Sequence, residues 1–446
     1  MAKQADEPQQ LWQTVAPVEF SPKASDSSQS QALLVSARQG AGYFIAAGQL
    51  GHALQFRATQ VLMDFTAAGC SIRYMVDGQW EQIPPYDRET GDAMLYALKM
   101  LCLLNPADRR SAQTGKLGVK LGKEKYDLIL QSQGVPTGER ALLRLDPLKV
   151  PFEKLEDIGM REKMVASFRQ QLNDEGKVIL ITAPKSEGLT TTWNVCMNAA
   201  DRLMRDFQSF EDQANPEPEI ININPNLFGG DTGIDARESL RKSILKEPDV
   251  FVFPEPVPAD AMDLALSMLD KDDKMVVTRT AASSAIEGLV RLIATYPEQR
   301  QEIAQNISCV LGQRLVRRLC DNCKMGFQPT PQLLHQLGIP QGRVAMLYQP
   351  FVPPPIEQQV DENGRPAPIA PCHICHGRGY LGRVGIFELL LPGPQLRDAI
   401  TKTQNLAQLA AIAKAEGFHN VQTEAVLAVA RGLTGLDELK RAFAKG

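Results

Sequence analysis

An α/β fold is predicted for this chain, on three observations. Short apolar runs, GKVILITAP from Gly176, VFVF from Val250 and KMVVT from Lys274, are each followed by helix-like stretches, the alternation that builds a parallel sheet. The first run feeds a turn and a helix in the frame of a phosphate-binding loop. Two Cys-x-x-Cys pairs bracket a proline-rich stretch further on, the spacing of a four-thiolate metal site.

The chain has 446 residues, 43% of them hydrophobic and 22% charged, which is ordinary globular composition and enough length for several cores. A formal net charge of −4 gives no global reason to expect a nucleic-acid or anionic-membrane partner. The apolar runs are too short to cross a bilayer and MAKQADEPQQ has no apolar leader, so the protein is expected in the cytosol. Eight cysteines without an export signal argue against a disulfide framework. Cys70, Cys102, Cys196 and Cys309 lie in mixed or apolar contexts and are expected as small core residues.

Residues 1–38, rich in Gln, Ser, Asp and Pro, are expected as a mobile lead-in. Residues 39–148 are expected as an N-terminal α+β domain. Within it ALQFRATQVLMDFTAAG from Ala53 has helical spacing, SIRYMVDGQWEQI alternates about an Asp77-Gly78 turn like a hairpin, and TGDAMLYALKMLCLL from Thr90 is an apolar-faced helix. YDLILQSQGV from Tyr126 and ERALLRL from Glu139 are expected as strands. The sheet domain with the loop is assigned to 149–319, the cysteine-paired insert to 320–376 and a helical C-terminal region to 377–446.

The loop is Ala183-Pro184-Lys185-Ser186-Glu187-Gly188-Leu189-Thr190-Thr191. In an intact loop glycines let backbone N–H groups wrap a phosphate, a lysine neutralises the β and γ oxygens, and a Ser or Thr hydroxyl takes magnesium. Gly188 and Thr190 stand in frame, but Ala183 replaces the first glycine and Leu189 the lysine. Leucine offers neither charge nor hydrogen bond, so only the backbone cradle and the helix N-terminus remain. Lys185 is either a substitute cation or a solvated turn lysine. Glu255, at the end of an apolar strand, is a candidate to orient magnesium-bound or attacking water, or a solvated carboxylate.

Cys320, Cys323, Cys372 and Cys375 are the candidate ligands of one structural Zn(II), with two unpaired cysteine pairs as the alternative. Four thiolates close the coordination shell, leaving no position for catalytic water. His373 and His376 flank the second pair; His52, His335 and His419 have no evident partners in sequence. The stretch between the pairs is not basic, which disfavours a zinc-dependent DNA-binding reading.

Several phrases resemble the type II secretion and type IV pilus assembly ATPase family. Gly312-Gln313-Arg314-Leu315-Val316-Arg317-Arg318-Leu319-Cys320-Asp321-Asn322-Cys323 is similar to its QRLxRRLCxxC signature, and Gly379-Tyr380-Leu381-Gly382-Arg383-Val384-Gly385-Ile386-Phe387-Glu388 to its GYxGRxGIxE phrase. Arg73-Tyr74-Met75-Val76-Asp77-Gly78 resembles its RYRIDG hairpin, and the turn from Asp108 to Lys116 its ERRxPQDGR turn. The resemblance covers roughly Gly40 to the C-terminus. It implies a RecA-like P-loop NTPase core with an N-terminal α+β domain, a tetracysteine zinc insert and C-terminal helices. It implies nucleotide contacts from Arg73, Arg110 and Lys116, and a six-membered ring, alone or with an active paralogue. The ring would work at an inner-membrane platform with the assembly proteins of a pilus or secretion system, peripheral to that membrane through partners. The zinc pairs favour the assembly and secretion branch over the retraction branch.

The departures bear on activity. The family's EDP-type Asp box has at best Asn224-Pro225, its GEIRD phrase has become Pro254-Glu255-Pro256-Val257-Pro258, and Ala281 stands in the place of its box histidine. The strand with its early Asp-x-His is expected to be missing before Arg73. Losing several orienting groups, each able to carry a factor of about 10² in rate, predicts slow or absent hydrolysis. The resemblance names magnesium-ATP as ligand, and the damaged loop counts against it. Two readings follow: a pseudo-ATPase ring subunit, which we favour, and an active ATPase powering pilin or pseudopilin assembly.

Overall fold

The computed structural model describes residues 11–149, 151–175, 177–269, 274–359, 365 and 367–444. They form two compact units, Met1–Pro151 and Phe152–Gly446, so the insert and the C-terminal helices belong with the sheet that carries the loop.

In the first unit the elements are β1 (Glu19–Pro22), α1 (Ser27–Arg38), α2 (Ala41–Gln55), β2 (Ala58–Thr66), β3 (Gly69–Val76), β4 (Gln79–Tyr86), α3 (Arg88–Leu101), β5 (Gln113–Leu121), β6 (Glu124–Val135) and β7 (Gly138–Pro147). The strands make one sheet, ordered β1-β5-β6-β7-β2-β3-β4, with every pair antiparallel. The expected lead-in does not hold for residues 19–38: Phe20 and Ala37 are buried, β1 pairs with β5, and Asp26 caps α1 by accepting from the Gln29 N–H. Residues 1–10 lie outside the described residues.

The run from Ala53 is not one helix. α2 stops at Gln55, Arg57 takes a positive φ of 59°, and β2 begins at Ala58. Val61, Met63 and Phe65 are buried at alternate positions, so the local period is two, which helical spacing over a longer window concealed. β2 is also the strand expected to be missing before Arg73; the strand is present and only the Asp-x-His residues are not. The hairpin at Asp77-Gly78, the helix from Thr90 and the two strands from Tyr126 and Glu139 form as expected. α2 and α3 approach so closely at Gly42 that a Cβ there would stand 1.8 Å from the Ala93 carbonyl oxygen. Beneath α3, Lys99 meets Glu139 of β7 at 2.5 Å, both side chains no more than 3% exposed. Lys99 also donates to the Asp108 carbonyl at 2.6 Å.

The second unit continues with α4 (Glu162–Gln170), β8 (Val178–Ala183), α5 (Leu189–Ala199), β9 (Phe207–Asp212), β10 (Ile223–Phe228), α6 (Ala236–Ile244), β11 (Val250–Phe253), α7 (Ala259–Leu266), β12 (Met275–Ala281), α8 (Ala285–Thr295), α9 (Arg300–Asn306) and β13 (Ile307–Leu319). After Cys320 come β14 (Met325–Phe327), α10 (Pro331–Gln336), β15 (Leu347–Gln349), β16 (Tyr380–Leu390), α11 (Pro394–Lys402), α12 (Leu406–Ala415), α13 (Val421–Ala430) and α14 (Leu436–Phe443).

The main sheet runs β10-β9-β11-β12-β8-β13-β16. It is parallel except for β16, which returns against β13. Both faces are covered: Val178 and Leu180 of β8 join the core beneath α6, α7 and α8, while Ile179 and Ile181 join that beneath α4 and α5. This is the α/β, RecA-like frame. The region from residue 377, expected as helical, opens instead with β16, where eleven residues extend the sheet before the helices begin at Pro394.

α14 docks on β13 through Glu438, which is 0% exposed and takes the Arg317 backbone N–H at 2.9 Å and the guanidinium groups of Arg317 and Arg441. Burial opposes its ionisation, but the hydrogen bonds from Arg441 and Arg317 outweigh it and hold the carboxyl below its ordinary range. A folded-state pKa below the unfolded one adds stability at neutral pH that is lost as acid protonates the group. Glu438→Gln should therefore lower the urea midpoint at pH 7 and narrow the gap between pH 7 and pH 4, and an unchanged gap would refute this. Among the described residues no helix is long and apolar enough to cross a membrane.

Candidate nucleotide-loop and metal sites

β8 lies between β12 and β13, and its buried apolar side chains carry the chain to the carboxyl edge of the sheet at Ala183. Ser186 (φ 65°) and Gly188 (φ 88°) adopt left-handed conformations, and Gly188 is the N-cap of α5 with no side-chain cap. The cradle geometry thus survives, with the positive end of an eleven-residue helix open. Its contents have changed. Leu189 is half-buried against the core that holds Ile179, Trp193 and Leu311, so it packs as an apolar residue. Lys185 is exposed and has no ion-pair partner among the described residues, and Thr190 is exposed while Thr191 is half-buried. Pro184 and Ser186 complete the turn, closed by the Glu187 N–H donating to the Pro184 carbonyl at 3.1 Å.

Glu187 is the residue whose importance the sequence hid. β13 ties it down: the Leu315 N–H donates to its carboxylate at 3.0 Å, and the Gln313 amide donates to its carbonyl at 2.6 Å while accepting from Thr192 of α5. The carboxylate of this loop residue is therefore fixed against β13, where Arg314 Nε stands 3.7 Å from it.

Glu255 follows β11, separated from β8 by one strand, which is roughly 10 Å at ordinary strand spacing. It accepts from the Asn215 amide at 2.9 Å. Asn224-Pro225 is not an acidic box. It lies near the start of the edge strand β10, where the Asn224 amide reaches back to Asp206 at 3.2 Å. The acidic residues at the carboxyl end of this part of the sheet are instead Glu211 and Asp212, which end β9, the strand beside β11. Sequence reasoning missed them because FQSFED is too short and mixed to be picked out as a strand; an acidic pair closing an apolar run was the available signal. Glu211 is nearly buried and accepts from Ser209 at 2.6 Å and from the Glu217 N–H at 2.9 Å. Arg279 of β12 takes Glu217 in two hydrogen bonds of 3.1 and 2.6 Å and lies over the Trp193 ring. Ala281 ends β12.

Arg73, Arg110 and Lys116 lie in the first unit. Arg73 pairs with Asp64 at 2.8 Å and stacks near Trp80, Arg110 lines a surface hollow with Arg88 and Arg109, and Lys116 is exposed on β5.

The four cysteines brought together from both ends of the insert are the clearest success of the spacing argument. Their sulfurs all lie within 4.8 Å of one another, with Cys320–Cys372 at 4.0 Å and Cys323–Cys375 at 3.6 Å. Tetrahedral thiolates about 2.3 Å from zinc stand about 3.8 Å apart, so the set fits that metal; a disulfide would need about 2 Å. N–H groups also aim at sulfur, as thiolates require: Gly379 N–H to Cys375 at 3.3 Å and the Asn322 amide to Cys372 at 3.2 Å. The backbone N–H of Cys375 and the Asn322 amide draw the Cys372 thiol down to about 6. These four residues could hold a metal ion, which would supply structural cross-linking of a segment with little core of its own. Cys70, Cys102, Cys196 and Cys309 are buried core residues.

A family model described as type II/IV secretion system protein matches residues 43–441. The type IV pilus assembly ATPase PilB of Acinetobacter baylyi is 26% identical over 380 residues, covering 83% of this chain and 61% of that one. The type II secretion system protein E of Pseudomonas aeruginosa is 23% identical over 392 residues, covering 88% and 73%. The chain spans between 39% and 62% of the length of three PilB relatives it matches. The X-ray structure of the Legionella pneumophila ATPase DotB superposes with a TM-score of 0.55 at 13% identity, covering 90% of this chain and 95% of that one, a likeness of fold alone. A family match across nearly the whole chain, on a sheet with its loop in the family's frame, establishes that the protein belongs to the type II/IV secretion system protein family.

Proposed function

We propose that this chain is a ring-forming subunit of a type II secretion or type IV pilus assembly system that has kept the motor frame and lost efficient ATP hydrolysis. The observation that carries this reading is Leu189, half-buried against the core in the position of the loop lysine, with the neighbouring Glu187 carboxylate held on β13 by the Leu315 N–H. A triphosphate would meet Leu189 where its relatives' loops are expected to offer a lysine, and would rely on the helix N-terminus and backbone alone. Its role is then structural or regulatory, in a homo-hexamer or beside an active paralogue, at an inner-membrane platform. Nucleotide contacts from Arg73, Arg110 and Lys116, and water orientation by Glu255, belong to the same proposal. The relatives named as ATPases support motor ancestry, and the exposed Thr190 with left-handed Gly188 supports the second reading, an active ATPase.

Phosphate release separates the two. Purified protein with magnesium-ATP is expected to show no turnover above background, and rates of about 1 s⁻¹ or more, ordinary for enzymes, would overturn the proposal. The double substitution Glu187→Gly with Leu189→Lys is expected to tighten binding of a fluorescent ATP analogue by at least about tenfold, since it removes one charge and restores its opposite.

A further inference from the structure

A cavity of 730 Å³ opens at the carboxyl edge of the sheet, between the start of α8, Arg314 of β13 and the helices α12, α13 and α14. That volume is far larger than an inorganic ion needs and lies within the range of small-molecule sites. At its floor is Arg314, 9% exposed. Among the described residues no hydrogen bond satisfies its buried Nε, and its ion pair is a loose one, with a Glu187 carboxylate oxygen 3.7 Å from that nitrogen. The ion pair leaves its N–H donors without a short hydrogen bond, and a planar guanidinium matches phosphate or carboxylate in two parallel hydrogen bonds.

The one carboxylate in the cavity wall feels the charge of Arg314, but its hydrogen bonds are committed elsewhere. Glu388 is 1% exposed, and its two oxygens are taken by the backbone N–H groups of Ala285 and Val421, at the N-termini of α8 and α13. Those two helices add positive potential of their own, and Lys414, exposed on α12 without an ion-pair partner among the described residues, adds a second full charge. The remaining wall mixes apolar residues, among them Ala407, Ala410, Phe418 and Phe443, with polar ones such as Ser284, His419 and Asn420, and the Phe443 ring lies 5.1 Å from the Arg314 guanidinium carbon. We infer that this cavity binds a small organic phosphomonoester of mononucleotide size, its phosphate on Arg314 and Lys414 and its flat apolar body against α12 and Phe443. The inference does not depend on whether the phosphate loop hydrolyses ATP.

The test is isothermal titration calorimetry on the full chain with AMP, using adenosine as the uncharged comparison. AMP is expected to bind and adenosine to bind at least about tenfold more weakly, because the phosphate carries the contact to Arg314. Arg314→Gln and Lys414→Glu are each expected to weaken AMP by about tenfold or more, and Lys414, on an exposed helix face, can be changed without touching the core. Thr190→Ala, in the phosphate loop, is expected to leave AMP binding unchanged. No AMP binding at millimolar concentration, equal binding of adenosine, or indifference to Lys414→Glu would overturn the inference. Loss of AMP binding in Thr190→Ala would place the ligand in the loop and overturn it as well, whatever the phosphate-release experiment shows.

Discussion

Cys375→Ser is expected to abolish metal retention and to loosen the whole segment between the two cysteine pairs. Cys375 is buried, its sulfur accepts the Gly379 N–H, and it faces Cys323 across 3.6 Å, so serine would leave a three-thiolate site with a poorly placed fourth donor. Structural zinc in small modules is worth on the order of 10 kcal/mol of apparent binding free energy, and where no other core holds the ligands that energy is folding energy. Here β14 and β15 are three residues each and α10 is six, so little else orders the segment. Elemental analysis should find about one zinc per wild-type chain and nearly none in the variant. Trypsin should then cut the variant between residues 324 and 371 while sparing the wild type. A wild-type protein purified without chelators that carries no zinc would defeat the assignment.

The second large effect is expected in the first unit. Glu139→Leu strands the Lys99 ammonium beneath α3 with only the Asp108 carbonyl for company. Removing one partner of a fully buried pair costs about 3–5 kcal/mol, whereas replacing both by apolar residues of similar volume is often neutral. Lys99→Met with Glu139→Leu should therefore recover most of the stability lost in the single variant, read as urea midpoints of the two proteins. If the single variant unfolds at the wild-type midpoint, the pair is not buried as described.

The four-cysteine cluster was the most legible feature, because ligand chemistry fixes both residue type and spacing: two Cys-x-x-Cys pairs need no knowledge of the 48 residues between them. The strands VILITA and VFVF were equally readable, since a central parallel strand is apolar on both faces. β9 and β10 were not, as FQSFED and INPNLF mix polar and apolar residues at the far side of the sheet, which left Asn224-Pro225 as the nearest match to an acidic box and hid Glu211 and Asp212. β2 was concealed for a different reason: its alternating run abuts a helix, and the combined window imitates a longer helical period.

Sequence by itself determined the family, the parallel core, the four thiols and the exchange of lysine for Leu189, all of which are matters of residue identity in order along the chain. Only the tertiary structure decided what Glu187 and Arg314 are. Their meaning comes from β13 passing beside the loop 126 and more residues later, which pins the Glu187 carboxylate against that strand and sets the Arg314 guanidinium at a cavity. Charge and hydrogen bonding act through space at a few ångströms, and that distance is set by strand pairing, which no local pattern encodes.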